Sequence, residues 1–421
     1  MKRNGFVVFL ILCIWFVISF VTNILGPIMP AIIDTYHISL TLAAFLPFSF
    51  FLAYGIMSVP AGILIERSGA KKAILLALAM GLVGAGLFAF HPAYGMALAS
   101  LFIIGMGMAM LQVIINPLMR VAGGEEHFAF YSVLAQLVFG AASFVSPYVF
   151  VSLTGMLEKQ KTATGHYTGF LNQIIPAGIP WIILYWLFAL IFLVFLIIIR
   201  SIRLPAVDLK EDEKSGALDS YLYLLKKRSV RLYFFGLIAY VGTEQGLANW
   251  MSKFLSLYHG IDPEGQGAHT IALFWGLMSV GCLLGLLILK LADSKIVLKC
   301  ALCLTMVSVA CALFGPAKIA LIAFPLCGFF LSVVFSIIFS LALNSEEKHH
   351  GSYSGILCSG IFGGALIPLI IGKLGDMTSL RLAMLFIFVP LLYMLFLAFI
   401  ARPLIRNKTV SFRDLFKTVK I

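Results

Sequence analysis

Long apolar runs follow one another along the whole chain, separated by short segments rich in charge, glycine and proline. A run of about 20 residues is enough for an α-helix to cross a hydrocarbon layer of ~30 Å. The pattern therefore predicts twelve membrane-spanning helices. Six lie near residues 6–33, 42–65, 72–90, 94–120, 129–153 and 179–200. Six more lie near residues 231–257, 269–291, 297–314, 319–344, 353–372 and 381–402.

The composition supports this interpretation. Hydrophobic residues make up 61% of the 421 positions and charged residues only 11%, whereas a soluble domain carries roughly 25% charged residues. So little polar surface excludes an ordinary soluble enzyme, a disordered protein and a disulfide scaffold. No hydrolase, zinc-protease or nucleotide-binding motif is present, so we predict neither enzymatic activity nor a cofactor or metal. The predicted fold class is an all-α polytopic membrane protein.

One long polar segment divides the chain in two. It predicts four parts: a first six-helix bundle, a cytoplasmic linker, a second six-helix bundle and a basic cytoplasmic tail, at residues 1–200, 201–230, 231–402 and 403–421. Within the linker, the apolar stretch from Tyr221 to Leu225 predicts a short interfacial helix. The basic tail is expected to lie on anionic lipid.

The net charge of +12 is explained by membrane topology. With both termini in the cytoplasm, all but six of the 30 Lys and Arg residues lie on the cytoplasmic side, as the positive-inside rule requires. The exceptions are Lys159, Lys161, Lys253, Lys318, Lys373 and Arg381. Nucleic acid is not an expected partner, because no basic stripe is interleaved with exposed aromatics. We predict a multi-pass protein of a bacterial inner membrane.

The two halves share an ordered set of residues at offsets of 221 to 223 positions, which indicates duplication. The pairs are Glu125 and Glu346, Tyr131 and Tyr353, Phe139 and Phe362, and Pro147 and Pro368. Two like-oriented six-helix halves are related by a pseudo-twofold axis along the membrane normal. This architecture is typical of a transporter whose central cavity opens alternately to either side.

A specific motif joins the second and third predicted helices. The segment from Gly62 to Lys72, GILIERSGAKK, resembles the G-x-x-x-D/E-R-x-G-x-K/R-K/R loop of the major facilitator superfamily. The resemblance implies a gating role for Gly62, Glu66, Arg67, Gly69 and Lys71. Arg120, near the cytoplasmic end of helix 4, is expected to be a gate or topology charge. The alternative for the motif is a turn that carries positive-inside charges.

Within that superfamily, the chain resembles the fucose–proton symporter family, which also holds glucose/galactose transporters. The likeness rests on residues 51–64, 111–117, 240–250 and 351–376 and implies a sugar substrate. The chain also departs from the fucose members. Where they carry carboxylates in helices 1 and 4, this sequence has Asn23 and Gln112, and where they carry amides in helices 5 and 10 it has Phe139 and Leu331.

Glu244 is the single acid, of 18, that lies well inside a predicted span. Ionisable groups at the bilayer centre are costly and usually functional. A carboxylate that binds H⁺ or Na⁺ loses charge and crosses the membrane more easily, so we predict that Glu244 is the coupling site. The alternative is a structural acid paired with Lys253 or packed against Asn249.

Amides suit a neutral polyol, because each both donates to and accepts from hydroxyls. Gln112 and Asn116 share a face of helix 4, and Gln245 and Asn249 share a face of helix 7. The predicted substrate-binding residues are Asn23, Gln112, Asn116, Gln136, Gln245, Asn249 and Trp250. The alternatives are hydrogen bonding between helices for the amides, stabilisation of a proline kink for Asn23, and interfacial anchoring for Trp250.

The leading hypothesis is cation-coupled uptake of a monosaccharide by a monomeric carrier. Phe139, Leu331 and the 37 phenylalanines favour a second hypothesis, an exporter of apolar compounds; an uncoupled facilitator is a further alternative. A channel or a transporter-like receptor is the third hypothesis. A channel is distinguished by the absence of saturation and of counterflow.

Overall fold

A computed structural model of the chain describes residues 5–123, 128–164, 175–176, 178–202, 204, 218–346 and 350–401. All regular structure within these ranges is helical. The predicted fold class, a polytopic bundle of transmembrane helices, is therefore confirmed.

Seven α-helices build spans 1 to 6. Span 1 consists of α1 and α2, and spans 2 to 6 of one helix each: α1 (Gly5–Asn23), α2 (Leu25–Tyr36), α3 (Leu40–Ser68), α4 (Ala70–Phe90), α5 (Tyr94–Gly123), α6 (Phe128–Thr164) and α7 (Ile183–Ser201). Helix α6 extends well past the predicted end at residue 153. Its last two turns are polar but contain good helix formers, so apolarity marks only the part inside the membrane.

The second half begins with a short linker helix, α8 (Leu218–Lys226), which confirms the helix predicted around Tyr221 to Leu225. Spans 7 to 9 are single helices, and spans 10 to 12 are each built from two: α9 (Arg228–His259), α10 (Ala268–Leu291), α11 (Ser294–Phe314), α12 (Ala317–Leu331), α13 (Val334–Leu343), α14 (His350–Ser359), α15 (Gly363–Met377), α16 (Leu380–Met384) and α17 (Phe388–Ile400).

Proline explains the break in span 1. Pro27 has no N–H to donate to the carbonyl of Asn23, one turn earlier, and the chain turns at Ile24 between α1 and α2. The same effect acts in α6, where Pro147 leaves the carbonyl of Ser143 free. There the hydroxyl of Ser146 donates to that carbonyl at 3.2 Å and replaces the missing bond.

Span 7 is the least apolar of the twelve. Eleven segments of the described chain are long and apolar enough to cross a membrane, and α9 is not among them. Its 32 residues measure about 48 Å at 1.5 Å per residue, so its length suffices. Its mean hydropathy falls short because Thr243, Glu244, Gln245 and Asn249 lie in its middle. Three of these residues, Glu244, Gln245 and Asn249, are predicted to act in transport.

Buried apolar side chains form two clusters. One draws on spans 1 to 6 and the other mainly on spans 7 to 12. Met29 and Ile33 of α2 belong to the second cluster, because α2 lies against α9. The backbones meet closely there: a Cβ on Gly26 would lie 2.5 Å from the carbonyl oxygen of Ala248.

Of the two ends of the bundle, only one shows polar links between the halves within the described residues. We call the end with the loops after spans 1, 7 and 11 the distal end, and the end with Gly5 and Ala401 the proximal end. At the distal end the Asp376 carboxylate accepts from the backbone N–H groups of Leu40, at 2.9 Å, and Thr41, at 2.7 Å. Lys253 pairs with Asp34 at 3.2 Å.

A third distal link joins Tyr148 of α6 and His269 of α10, whose Nδ1 lies 2.6 Å from the phenolic oxygen. At the proximal end, each polar contact of the described chain joins residues of the same half or joins one half to the linker. Lys295, for example, donates to the carbonyl of Ala401 at 2.6 Å. The halves are therefore fastened to each other at the distal end.

The linker helix α8 is attached to the second half. The ion pair of Lys227 with Glu346 raises the pKa of the lysine, and Ser229 donates to the same carboxylate at 3.0 Å. Within α8, the side chains of Leu222 and Tyr223 are exposed. The basic tail predicted from residue 403 onwards lies outside the described residues, as does most of the linker.

Candidate functional site

A line of hydrogen bonds crosses from the first half to the second in the middle of the spans. The hydroxyl groups of Ser19 and Ser143 lie 2.6 Å apart. The amide of Asn23 donates to the Ser143 hydroxyl at 2.8 Å, and its oxygen accepts from the Gln245 amide at 3.2 Å. All four side chains are buried. Spans 1, 5 and 7 thus share one polar network.

Gln245 connects this line to the predicted coupling acid. Its amide nitrogen also lies 3.4 Å from the Glu244 carboxylate, so its two N–H bonds point to acceptors in different halves of the protein. Its amide oxygen accepts from Asn249 at 3.4 Å. Asn249 also donates to the backbone carbonyl of Gln245 at 2.8 Å, one turn away. The structure therefore brings Asn23, Gln245 and Asn249 together, as predicted for a shared site.

Glu244 is half-buried beside this network. It accepts hydrogen bonds from Tyr240, one turn earlier on α9, and from Gln245. The structural alternative, an ion pair with Lys253, is absent because Lys253 pairs with Asp34 at the distal end. The carboxylate is thus held by neutral donors, and within the described residues no cation faces it.

The two positions that favoured an apolar exporter are packed inside the halves. Phe139 lies edge-on to Trp15 with ring centroids 5.9 Å apart, and its carbonyl accepts from the hydroxyls of Ser19 at 2.5 Å and Ser143 at 3.1 Å. Leu331 is fully buried in the second cluster.

Trp250 occupies a different environment from the one predicted. Its side chain is fully buried, and its indole N–H donates to the carbonyl of Pro368 at 3.1 Å. It is one residue, or about 100°, from Asn249 around the helix, and this rotation directs it towards span 11. In this conformation Trp250 is a packing contact within the second half, not an interfacial anchor or a group free to meet a ligand.

The remaining predicted amides are not part of the network. Gln112 is half-buried and Gln136 is exposed, and no hydrogen bond between either and the network occurs among the described side chains. Glu66, Arg67, Asn116 and Arg120 lie on helices whose course is described, but their side chains fall outside the description. Their predicted roles stay predictions.

Lys71 of the loop motif bonds within the first half and to the start of the linker in this conformation. Gly69 begins α4 with a φ of 78°, a left-handed value that favours glycine. Lys71 donates to the carbonyls of Arg200 at 2.9 Å and Ile202 at 2.7 Å, where a cation stabilises the C-terminus of α7. Gly62 lies in the last turns of α3.

Three members of the network were not predicted as site residues: Ser19, Ser143 and Tyr240. The sequence held a weak signal for two of them. Ser143 shares a helix face with Gln136 and Gly140, and Tyr240 lies one turn before Glu244. Ser19 also lies one turn before Asn23, but serine in an apolar helix commonly bonds its own backbone.

The fold and the intramembrane polar network define a helical membrane transporter. The family model of the Major Facilitator Superfamily matches residues 11–360, and the chain belongs to that superfamily. A glucose/galactose transporter of Brucella abortus (strain 9-941) is 30% identical over 411 residues, with 94% of each chain covered. The L-fucose-proton symporter of Escherichia coli (strain K12) is 26% identical, covering 89% of this chain and 88% of the symporter.

Solved structures show the same fold. A crystal structure of the Escherichia coli fucose:proton symporter superposes with a TM-score of 0.66 at 21% identity, over 94% of this chain and 98% of the symporter. A bacterial homologue of the human lysosomal transporter Spinster, solved in an inward-facing and unoccupied conformation, gives 0.73 at 14% identity, over 94% and 96% of the two chains. The predicted superfamily is therefore confirmed.

Proposed function

We propose that this protein is a proton-coupled carrier that takes up a monosaccharide by alternating access. The observation that carries the proposal is the network of Asn23, Gln245 and Glu244, which joins the two halves through neutral amides and one carboxylate. The relatives named as glucose/galactose transporter and L-fucose-proton symporter support a sugar as the substrate.

The chemistry of the network suits a neutral polyol. Amide groups can replace the water that a sugar loses, because each N–H₂ donates and each oxygen accepts. Gln245 uses its donors on Asn23 and Glu244, so a sugar hydroxyl that binds there exchanges one of these bonds for its own. The exporter hypothesis has less support, because the Phe139 ring packs on Trp15 and Leu331 is fully buried in the second apolar cluster.

Glu244 is proposed to carry the proton. An ionised carboxylate is an acceptor only, whereas a protonated one also donates. Protonation therefore removes a charge from the middle of the membrane, lets the carboxyl donate to the Tyr240 oxygen and weakens the bond that it accepts from the Gln245 amide. Because Gln245 bridges to Asn23, that change reaches the first half directly. A neutral carboxyl lowers the free-energy cost of the conformational change, because no charge then has to move near the bilayer centre.

The positive-inside bias supports a cytoplasmic proximal end. With the distal end fastened by Asp376, Asp34 and His269, the conformation would then be closed to the outside. In this scheme residues 1–200 and 231–402 rock against each other as two bodies joined by the 201–230 linker, in the inner membrane and within one polypeptide. The motif loop and Arg120 would stabilise the opposite state.

The experiment is counterflow and uphill uptake in proteoliposomes, with labelled glucose, galactose and fucose and with pH and Na⁺ varied separately. For Glu244→Gln we expect counterflow to persist and accumulation driven by a pH gradient to fall at least tenfold. Glu264→Gln is the matched control. That acid lies past the distal end of α9, more than ~20 Å along the chain from Glu244 at 1.5 Å per helical residue.

Several results would contradict the proposal. Uphill uptake that depends on Na⁺ and not on pH would replace the proton with sodium. Normal accumulation by Glu244→Gln would remove this residue from coupling. Saturable counterflow of a lipophilic dye, with none for the sugars, would support the exporter instead.

A further inference from the structure

The chain has five tryptophans, and the indole N–H of one of them is buried without an acceptor among the described residues. Trp275 of α10 is 2% exposed, and its Nε1 atom is buried without a hydrogen-bond partner in the described structure. Indole nitrogen is a donor only, and a buried donor without an acceptor costs free energy. Such a group needs an explanation in terms of what it binds at another stage.

The other deeply buried tryptophans do not share this property. Trp181 is also 2% exposed, but its indole donates to the hydroxyl of Thr35 at 3.1 Å. Trp250 donates to the carbonyl of Pro368 at 3.1 Å. Burial of an indole in this protein therefore comes with an acceptor at both of these positions and without one at Trp275.

The position of Trp275 on α10 points to the network described above. Cys282 follows seven residues later, two turns along the same face of the helix, and its sulfur lies within electrostatic reach of Glu244. Because α9 and α10 are consecutive spans that run antiparallel, moving two turns back from Cys282 corresponds in height to moving about two turns forward from Glu244. That step reaches the level of Asn249.

Gly276, the residue after Trp275, shows that this part of α10 lies against the first half. Gly276 meets the first half: a Cβ there would lie 2.8 Å from the ring of Phe144. Phe144 follows Ser143, which accepts the hydrogen bond from Asn23. Trp275 thus lies next to the boundary between the halves, at about the level of Asn249.

We propose that Trp275 is a specificity-determining residue of the sugar site, which donates its indole N–H to a sugar hydroxyl oxygen and packs its ring on the C–H face of the sugar. The inference rests on the proposed function and deepens it. It assigns to Trp275, whose N–H has no acceptor, the sugar-binding role that the sequence predicted for Trp250. An indole N–H beside an aromatic ring suits a pyranose, because a hydroxyl oxygen accepts from the N–H and the C–H face packs on the ring.

The first test measures binding of galactose, glucose and their single-deoxy analogues to the purified full chain in lipid nanodiscs. Trp275→Phe keeps a ring and removes the N–H, and we expect it to weaken the best sugar about tenfold. Trp181→Phe, equally buried, should stay within about twofold of wild type. One deoxy analogue should bind wild type and Trp275→Phe equally weakly. That analogue lacks the hydroxyl that accepts from the indole N–H, so removing the N–H as well costs no further affinity. This non-additivity identifies the partner hydroxyl.

The second test needs no variant at position 275. With ¹⁵N-labelled tryptophan, the Trp275 indole resonance is assigned by elimination from variants of Trp15, Trp181, Trp186 and Trp250. It should move on saturation with sugar, while the Trp181 resonance stays in place. A motionless Trp275 resonance at saturation, or losses that add for every analogue, overturns the inference and leaves sugar transport intact. If wild type binds no sugar, the proposed function fails first, and this inference fails with it.

Discussion

Gln245 donates a hydrogen bond of 3.2 Å to Asn23, a residue 222 positions earlier in the chain. That separation is the offset at which the two halves repeat. One other contact between spans 1 and 7 has the same offset: Gly26 packs on Ala248, also 222 residues away. Lys253 meets Asp34 at a separation of 219, which is slightly shorter. Asn23 and Gly26 therefore each meet their own counterpart, so the pseudo-twofold axis passes between α9 and span 1.

Ser143 is expected to hold Asn23 in the orientation that binds Gln245. Ser143→Ala leaves the Asn23 amide and the Ser19 hydroxyl without their shared partner, a loss of about 1–3 kcal/mol for buried donors. We expect sugar affinity to fall about fivefold or more and the melting temperature to drop. Ser146→Ala is the control, since Ser146 is also buried but bonds only the local carbonyl of Ser143.

Isothermal titration and thermal unfolding in one detergent measure both quantities. Ser143→Thr keeps the hydroxyl and should recover most of the affinity. Equal effects of Ser143→Ala and Ser146→Ala would show that the network has no special role and that α6 is simply sensitive to cavities.

The Asp34–Lys253 pair is predicted to bias the protein towards distal closure. Asp34 is largely exposed and Lys253 partly so, and pairs of this kind contribute about 0.2–1 kcal/mol. Lys253→Ala should therefore shift the balance of open and closed distal states by no more than about fivefold, and less at 1 M salt. Distances between spin labels on the distal loops report the populations. The double exchange Asp34→Lys with Lys253→Asp should restore the wild-type balance; failure to do so excludes a charge effect.

Asp376 should matter more than that ion pair. Its carboxylate accepts two backbone N–H groups at the start of α3, where helix-end donors and the helix dipole both favour negative charge. Asp376→Ala removes both bonds and should open the distal end about tenfold or more, whereas Asp376→Asn keeps one acceptor and should lie in between. Labelling of a distal-side cysteine gives the rates. Equal rates for the two variants would indicate that side-chain size, and not hydrogen bonding, holds the closure.

Gly26 is predicted to be indispensable for the closed distal end. Alanine there would place a Cβ 2.5 Å from the carbonyl oxygen of Ala248, so spans 1 and 7 would have to separate. We expect Gly26→Ala to reduce counterflow at least tenfold. Gly86→Ala, in α4 with nothing within 4 Å of the added carbon, should keep full activity and gain up to about 1 kcal/mol in helix stability. Full counterflow by Gly26→Ala would show that the two backbones need not approach this closely.

Hydrophobic pattern predicted much of this fold, because a membrane span leaves a long and simple signature. The bounds of most spans agree to within a few residues, and the linker helix at residues 218–226 was recognisable from an apolar stretch between charges. Length was underestimated where a helix continues beyond the lipid, as in α6. There the signal of apolarity ends before the backbone changes.

The sequence predicted which helix face carries each site residue, but not which residue of another helix it contacts. Periodicity placed Gln245 and Asn249 on one face of α9, and their hydrogen bonds to each other agree with this. It could not show that Asn23 lies opposite Gln245, or that Ser143, 120 residues from Asn23, supports it. Trp250 illustrates the limit: neighbours in sequence point about 100° apart, and the neighbouring helices decide which of them meets the other half.

The shortage of apolarity in α9 has a consequence for how the chain is assembled. A helix with an acid and two amides at its centre gains little by entering lipid alone, so its insertion depends on segments made before and after it. Span 7 directly follows the polar linker, and its first partners from the second half, α10 and α15, are synthesised later. The residues proposed to move solute thus make span 7 the step of biogenesis at which the nascent protein is most exposed to misinsertion.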